Sequence, residues 1–311
     1  MYRFVLHKSD GATSLDEEYK SIFSSKILVT KAKKWDAVKV AYPCLSFVSG
    51  MAYKDILMAP FDKLVEIYYQ YVQMNISEAL RKEINKRIKK CFPYKSQSSK
   101  IMRFFESHTK HTRATTCPYC DCHEINVYPQ QGLNRDYHLD HYLDKGVCPI
   151  IALSLHNLVP VCSSCNTTKG AQTFGGEETV TKKLSPLNPN YDFDSSACFK
   201  LTSQEEDTFK IQTEEFCKKV KVDIEFTDAQ YKNETDVTKI LRRIYANKKT
   251  LSNKDLVDYI SFVLSIKKRL SLYDAPIVSW ANRYMQTSTQ EERQKGVRNR
   301  YDKFKRDIAR I

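Results

Sequence analysis

Glycine is scarce in this chain, with 8 among 311 residues. A phosphate-cradling loop needs several glycines at fixed spacing, and neither Gly-x-x-x-x-Gly-Lys-Ser/Thr nor Gly-x-Gly-x-x-Gly occurs. The chain is therefore not expected to drive ATP-dependent translocation itself, and any motor would be a separate partner. Long apolar runs are also missing. None approaches the roughly 20 residues that cross a bilayer, which predicts a soluble protein with no membrane partner. Nothing at Met1-Tyr2-Arg3-Phe4 resembles a secretory leader, and the ten cysteines are irregularly spaced. A disulfide framework is not expected, and a reducing, cytoplasmic setting is. No internal repeat is present. A hydrophobic fraction of 41% with 12% aromatics excludes an intrinsically disordered chain.

What the sequence does have is positive charge, a net +13. Such a surface favours a polyanionic partner, because each phosphate it neutralises releases counterions. It also has two Cys-x-x-Cys pairs, Cys117/Cys120 and Cys162/Cys165. Two such turns supply the four thiolates of a closed tetrahedral zinc site. The gap between them exceeds the roughly 15–20 residues of a minimal zinc ribbon, so structure is inserted between the halves. The alternation in Tyr137-His138-Leu139-Asp140-His141-Tyr142 suits a strand. A loop with Asp144-Lys145-Gly146 and Pro149 follows, then the apolar run Leu158-Val159-Pro160-Val161. Ser163-Ser164 offers a helix cap, with Cys165, Asn166 and Lys169 in the first turns of that helix. The expected order is strand, loop, strand, helix. Cys122 and Cys148 read as free thiols, and His123, His138 and His156 as ordinary surface, loop or strand residues.

The series Asp140-His141, Asn157-Leu158-Val159-Pro160 and Cys162-x-x-Cys165-Asn166-x-x-Lys169 resembles the HNH nucleases, whose fold is a ββα-metal finger. In particular it is similar to bacterial HNH proteins with a Leu-Asp-His-Tyr-Leu run and a zinc-binding Cys quartet, several of which act in anti-phage defence. The likeness covers residues 117–170. Asn166 stands where many members have His, which makes this an HNN variant. The resemblance implies a metal-dependent endonuclease acting on DNA, with His141 as general base. It implies Asp140 and Asn166 as ligands of one catalytic Mg2+ or Mn2+, Asn157 as the brace of the loop that aims His141, and Lys169 as a phosphate contact. It further implies Zn2+ on the four cysteines, and control by a regulatory protein such as an ATPase or by self-association. The alternative is a non-catalytic zinc-containing nucleic-acid-binding or adaptor protein. The enzyme reading requires His141 and the oxygens of Asp140 and Asn166 to converge on one open cavity.

Around this centre the expected architecture is α+β: a helical N-terminal domain over 1–95, the finger within 96–175, and a C-terminal domain over 176–311 with a short β element and then helices. Ile27-Leu28-Val29 and Ala37-Val38-Lys39-Val40 look strand-like. From Phe61 an apolar residue recurs every three or four positions to Ile88, bounded by Pro60 and Pro93 with Ser77 as an internal cap. Ile101, Phe104 and Phe105 predict a short helix leading into the finger. Further on, Phe199/Leu201 and Phe209/Ile211 suggest a hairpin, Val220 to Phe226 a strand, and the chain from Asp236 helices ending in a basic segment from Glu291.

Overall fold

The computed structural model describes residues 14–107, 116–120, 127–128, 134–135, 137–173, 197–201 and 222–226, with Leu6, His123, Ile125, Glu178, Thr181, Ser185 and Leu187. The helices expected from Asp236 onward and the Phe209/Ile211 strand lie outside these residues.

Among the described residues six α-helices precede the first cysteine pair. They are α1 (Leu15–Ser21), α2 (Ser25–Ala41), α3 (Tyr53–Leu57), α4 (Phe61–Val72), α5 (Glu78–Cys91) and α6 (Tyr94–Ser107). Serines start three of them, each side chain accepting from a first-turn amide: Ser14 from Glu17, Ser24 from Ile27 and Ser77 from Leu80. On α5 only Ile84, Ile88 and Cys91 are buried, so the stripe faces the core and Lys82, Lys86, Arg87, Lys89 and Lys90 face water. Arg81 instead turns back to donate to the carbonyls of Tyr71 and Met74, at 2.8 and 2.6 Å, closing the end of α4.

The two strand-like runs near the N-terminus are both part of helix α2. Their valines do not alternate into a core: Val29 and Val40 are 55% and 83% exposed, and α2 buries Trp35 and Val38, three residues apart. Branched side chains weaken a helix only slightly, and packing of the Trp35 face outweighs that preference here.

The inserted segment forms a two-stranded antiparallel sheet, and short two-stranded sheets lie on either side of it in the chain. Strand β1 (Val127–Tyr128) pairs with β2 (Asn134–Arg135), β3 (His138–His141) with β4 (Leu158–Val161), and β5 (Ala197–Leu201) with β6 (Val222–Phe226). The strand containing Phe199 thus pairs with the Val222 strand. In the central pair Asp140 lies opposite Val159 and His141 opposite Leu158. Pro160 is tolerated in β4 because a two-stranded sheet has only edge strands. Helix α7 (Ser163–Lys169) follows at once and ends at Gly170, whose φ of 57° suits a residue without a Cβ.

The helices and the hairpin share one apolar cluster, so the core runs unbroken across position 95. Polar bolts reinforce the join. The Tyr19 hydroxyl donates to the Leu153 carbonyl at 2.8 Å, Ser154 Oγ donates to the Ile56 carbonyl at 2.7 Å, and Phe61 meets Tyr142 edge-on. The N-terminal helices thereby hold the β3–β4 connection in place. Among the described residues no helix is long and apolar enough to cross a membrane.

Candidate metal centre and hairpin site

The cysteine turns meet as their spacing predicts. Cys117, Cys120, Cys162 and Cys165 are buried, and their four sulfurs lie within 4.8 Å of one another. Zinc–sulfur bonds of ~2.3 Å would set sulfurs about 3.8 Å apart, so modest closure seats a tetrahedral cation. The helix cap differs from the serine expected. Cys162 is the N-cap of α7, its Sγ accepting from the Cys165 amide at 3.4 Å, while the Cys162 amide donates to Cys117 Sγ at 3.3 Å. A sulfur that takes amide hydrogen bonds is prepared for the thiolate form. The crowded thiols compete for protons: burial pushes Cys117 up, the neighbouring thiols push Cys165 up, and the hydrogen bond from Cys117 holds Cys162 down to about 6. A soft divalent cation such as zinc removes that conflict, and the donor set fits it. Cys148 is buried outside the quartet, and burial pushes its thiol up to about 12.

Asp140 and His141 are neighbours on β3, and successive strand residues project to opposite faces. Asp140 turns toward α7 and the first cysteine turn. Its Oδ2 accepts from the Tyr119 hydroxyl at 2.6 Å and lies 2.9 Å from Lys169 Nζ, which reaches Oδ1 at 3.2 Å. The same ammonium donates to the His141 carbonyl at 2.9 Å. Lys169 is 1% exposed, so it neutralises Asp140 inside the protein and does not offer its charge to a phosphate. Burial raises the Asp140 pKa, and Lys169 and Tyr119 pull it part of the way back.

His141 turns the other way, and its ring is pinned on both nitrogens. Nε2 lies 3.0 Å from the Ala152 carbonyl and Nδ1 3.0 Å from Lys145 Nζ. A carbonyl can only accept and an ammonium can only donate. Nε2 therefore carries the ring proton, and the Nδ1 lone pair faces Lys145. Tyr94, at the start of α6, packs edge-on against the imidazole with centroids 4.4 Å apart. Burial, then the Lys145 charge, lowers the His141 pKa to about 3, so the ring is neutral near pH 7.

Asn157 closes the connection that carries these groups. Its Oδ1 accepts from the Leu143 amide at 2.8 Å, and its Nδ2 donates to the carbonyls of Leu143 and Ile151 at 3.1 and 3.3 Å. Asn166 stands apart, its Nδ2 3.4 Å from Nδ1 of the exposed His138.

His141, Asp140 and Asn166 therefore do not converge on one open cavity. Nor do Asp140 and Asn166 fit a divalent ion between them, because both Asp140 oxygens are engaged by Lys169 and Tyr119. Three residues that sequence reasoning missed complete the site: Tyr119, Lys145 and Tyr94. Tyr119 sits inside the first Cys-x-x-Cys turn and Lys145 four residues after His141, spacings that flag proximity but not partnership. No family model, curated protein or solved structure matches the chain.

Proposed function

We propose that this protein is an HNH-type endonuclease that hydrolyses DNA phosphodiester bonds, with His141 as general base and a structural zinc on Cys117, Cys120, Cys162 and Cys165; because His141, Asp140 and Asn166 diverge, the shared cavity and the Asp140–Asn166 ion site that the resemblance implied are given up, and of the three only His141 keeps a chemical role. The observation that carries the reading is the pinned His141 ring. The Ala152 carbonyl holds the proton on Nε2 and leaves Nδ1, beside the Lys145 cation, as the basic atom. A ring fixed in tautomer and orientation is what proton abstraction from water requires. In that reaction His141 Nδ1 takes a proton from water, the water oxygen forms a bond to phosphorus, and the bond from phosphorus to the leaving sugar oxygen breaks. That oxygen is protonated from solvent. Asn157 braces the loop behind the ring, and the net charge of +13 attracts the polyanion. Service in anti-phage defence under a partner's control rests on the HNH resemblance and is tested by phage plating with and without the neighbouring genes.

One observation favours the non-catalytic adaptor reading. The Asp140–Lys169 pair is buried and self-compensated, as a purely structural pair would be. Plasmid cleavage by the zinc-loaded wild type and by His141→Ala, each with magnesium, with manganese or without added metal, separates the two. A base contributes roughly 10²–10⁴-fold, so the variant should fall silent while keeping its zinc and its helical signal. Equal activity in both proteins would remove His141 from the chemistry, and silence in both would favour the adaptor.

A further inference from the structure

Lys145 lies in the turn that opens the β3–β4 connection. Its neighbour Asp144 makes no ion pair with it: Asp144 Oδ1 accepts from the Gly146 amide at 2.7 Å within the turn. Among the described residues no carboxylate comes within ion-pair distance of Lys145 Nζ. Its partners are uncharged, namely His141 Nδ1 at 3.0 Å and the face of the Tyr94 ring 4.6 Å from the centroid. The ammonium is half-withdrawn from water; burial lowers its pKa, the Asp140 and Asp144 carboxylates, both beyond ion-pair distance, pull it part of the way back, and Lys169 adds to the lowering. A cation in that condition lacks an anion in direct contact.

The geometry points to Lys145 as a phosphate-binding gate: an oxygen of the bound phosphodiester draws the Lys145 ammonium away from His141 Nδ1, and the water to be activated takes its place. This inference rests on the hydrolytic reading above. Nζ already sits at hydrogen-bond distance from Nδ1, where an activated water must stand, so the two cannot be there together. The face of Tyr94 provides an aromatic surface along which Lys145 can turn outward. Removing a cation and adding an anion both make the imidazole easier to protonate, so the base strengthens when substrate is present. Water is thereby admitted to His141 Nδ1 only where the phosphate is bound.

The test is a titration of the zinc-loaded full chain, labelled with ¹⁵N in histidine, with a short phosphorothioate DNA duplex that resists cleavage. The His141 signals are assigned by their loss in His141→Gln. On binding DNA, the wild-type Nδ1 resonance should move toward its position in DNA-free Lys145→Met. Lys145→Met should bind the duplex roughly ten- to a hundredfold more weakly, the worth of a charge-assisted hydrogen bond, while Lys145→Arg keeps most of the affinity. Saturating DNA that leaves Nδ1 unmoved would overturn the gate, as would undiminished binding by Lys145→Met. If wild type still cleaves plasmid in parallel, only the gate falls. Absence of both binding and cleavage removes the gate and the hydrolytic reading together. Should Lys145→Met fail to fold, the DNA-free Nδ1 position is taken from Lys145→Gln, and a wild-type Nδ1 resonance that stays unmoved at saturating DNA still overturns the gate.

Discussion

Replacing Lys169 with methionine keeps most of the side-chain volume and deletes the charge that compensates Asp140. In the folded protein Asp140 is 4% exposed and, among the described residues, would retain only the Tyr119 hydroxyl as a hydrogen-bond partner. Breaking a buried pair by removing one member costs about 3–5 kcal/mol. Asp140 can escape by staying protonated. Against an ordinary carboxylate pKa near 3.9, that costs about 4 kcal/mol at pH 7 and about 1.5 kcal/mol at pH 5, at ~1.4 kcal/mol per unit. The sign follows from the direction of the shift. Burial already raises the folded pKa of Asp140, and losing Lys169, which lowers it, raises it further. A folded pKa above the unfolded one gives stability that is full below the unfolded value and is lost as pH rises toward the folded value. The penalty of Lys169→Met should therefore grow between about pH 5 and about pH 7. Urea titration followed by circular dichroism, with zinc in fixed excess, measures it. Adding Asp140→Asn should recover about 2 kcal/mol or more at pH 7, since the buried charge is then gone. A cost below about 1 kcal/mol, an equal cost at both pH values, or no relief in the double variant would refute the claim that this pair is a buried, mutually dependent one.

Two further outcomes are expected. Stripping zinc with a chelator, or substituting Cys117→Ser, should unfold the hairpin and α7, because metal binding to such quartets is worth roughly 10–16 kcal/mol. Cys148→Ser should keep its metal, as read by elemental analysis and circular dichroism. Asn157→Ala strands the Leu143 amide and the Leu143 and Ile151 carbonyls in a buried site, and should cost roughly 3 kcal/mol by urea titration together with most of any cleavage activity.

Local rules carried the sequence a long way. The Cys pairs at 117/120 and 162/165 announced a four-sulfur centre, because a two-residue gap lets paired thiols face one cation. The apolar stripe from Leu64 to Ile88 announced α4 and α5, because 3.6-residue periodicity and the Pro60 and Ser77 boundaries are written in adjacent positions. The alternation around Asp140 and the run from Leu158 announced the two strands, but nothing in either segment gave the register that sets His141 opposite Leu158. The two short branched runs of helix α2 resemble strands in sequence, and only the exposure of Val29 and Val40 shows that they belong to a helix. The partners of the site were decided only in three dimensions. Lys169 looks like an exposed cation in the sequence and becomes Asp140's buried counter-charge because α7 packs across β3. Lys145 and Tyr94, far apart in the chain, meet at His141 because α6 and the β3–β4 connection are packed around one core. Spacing along a chain specifies which groups can share a metal or a helix face, whereas burial and the choice of partner are set by contacts between elements distant in sequence.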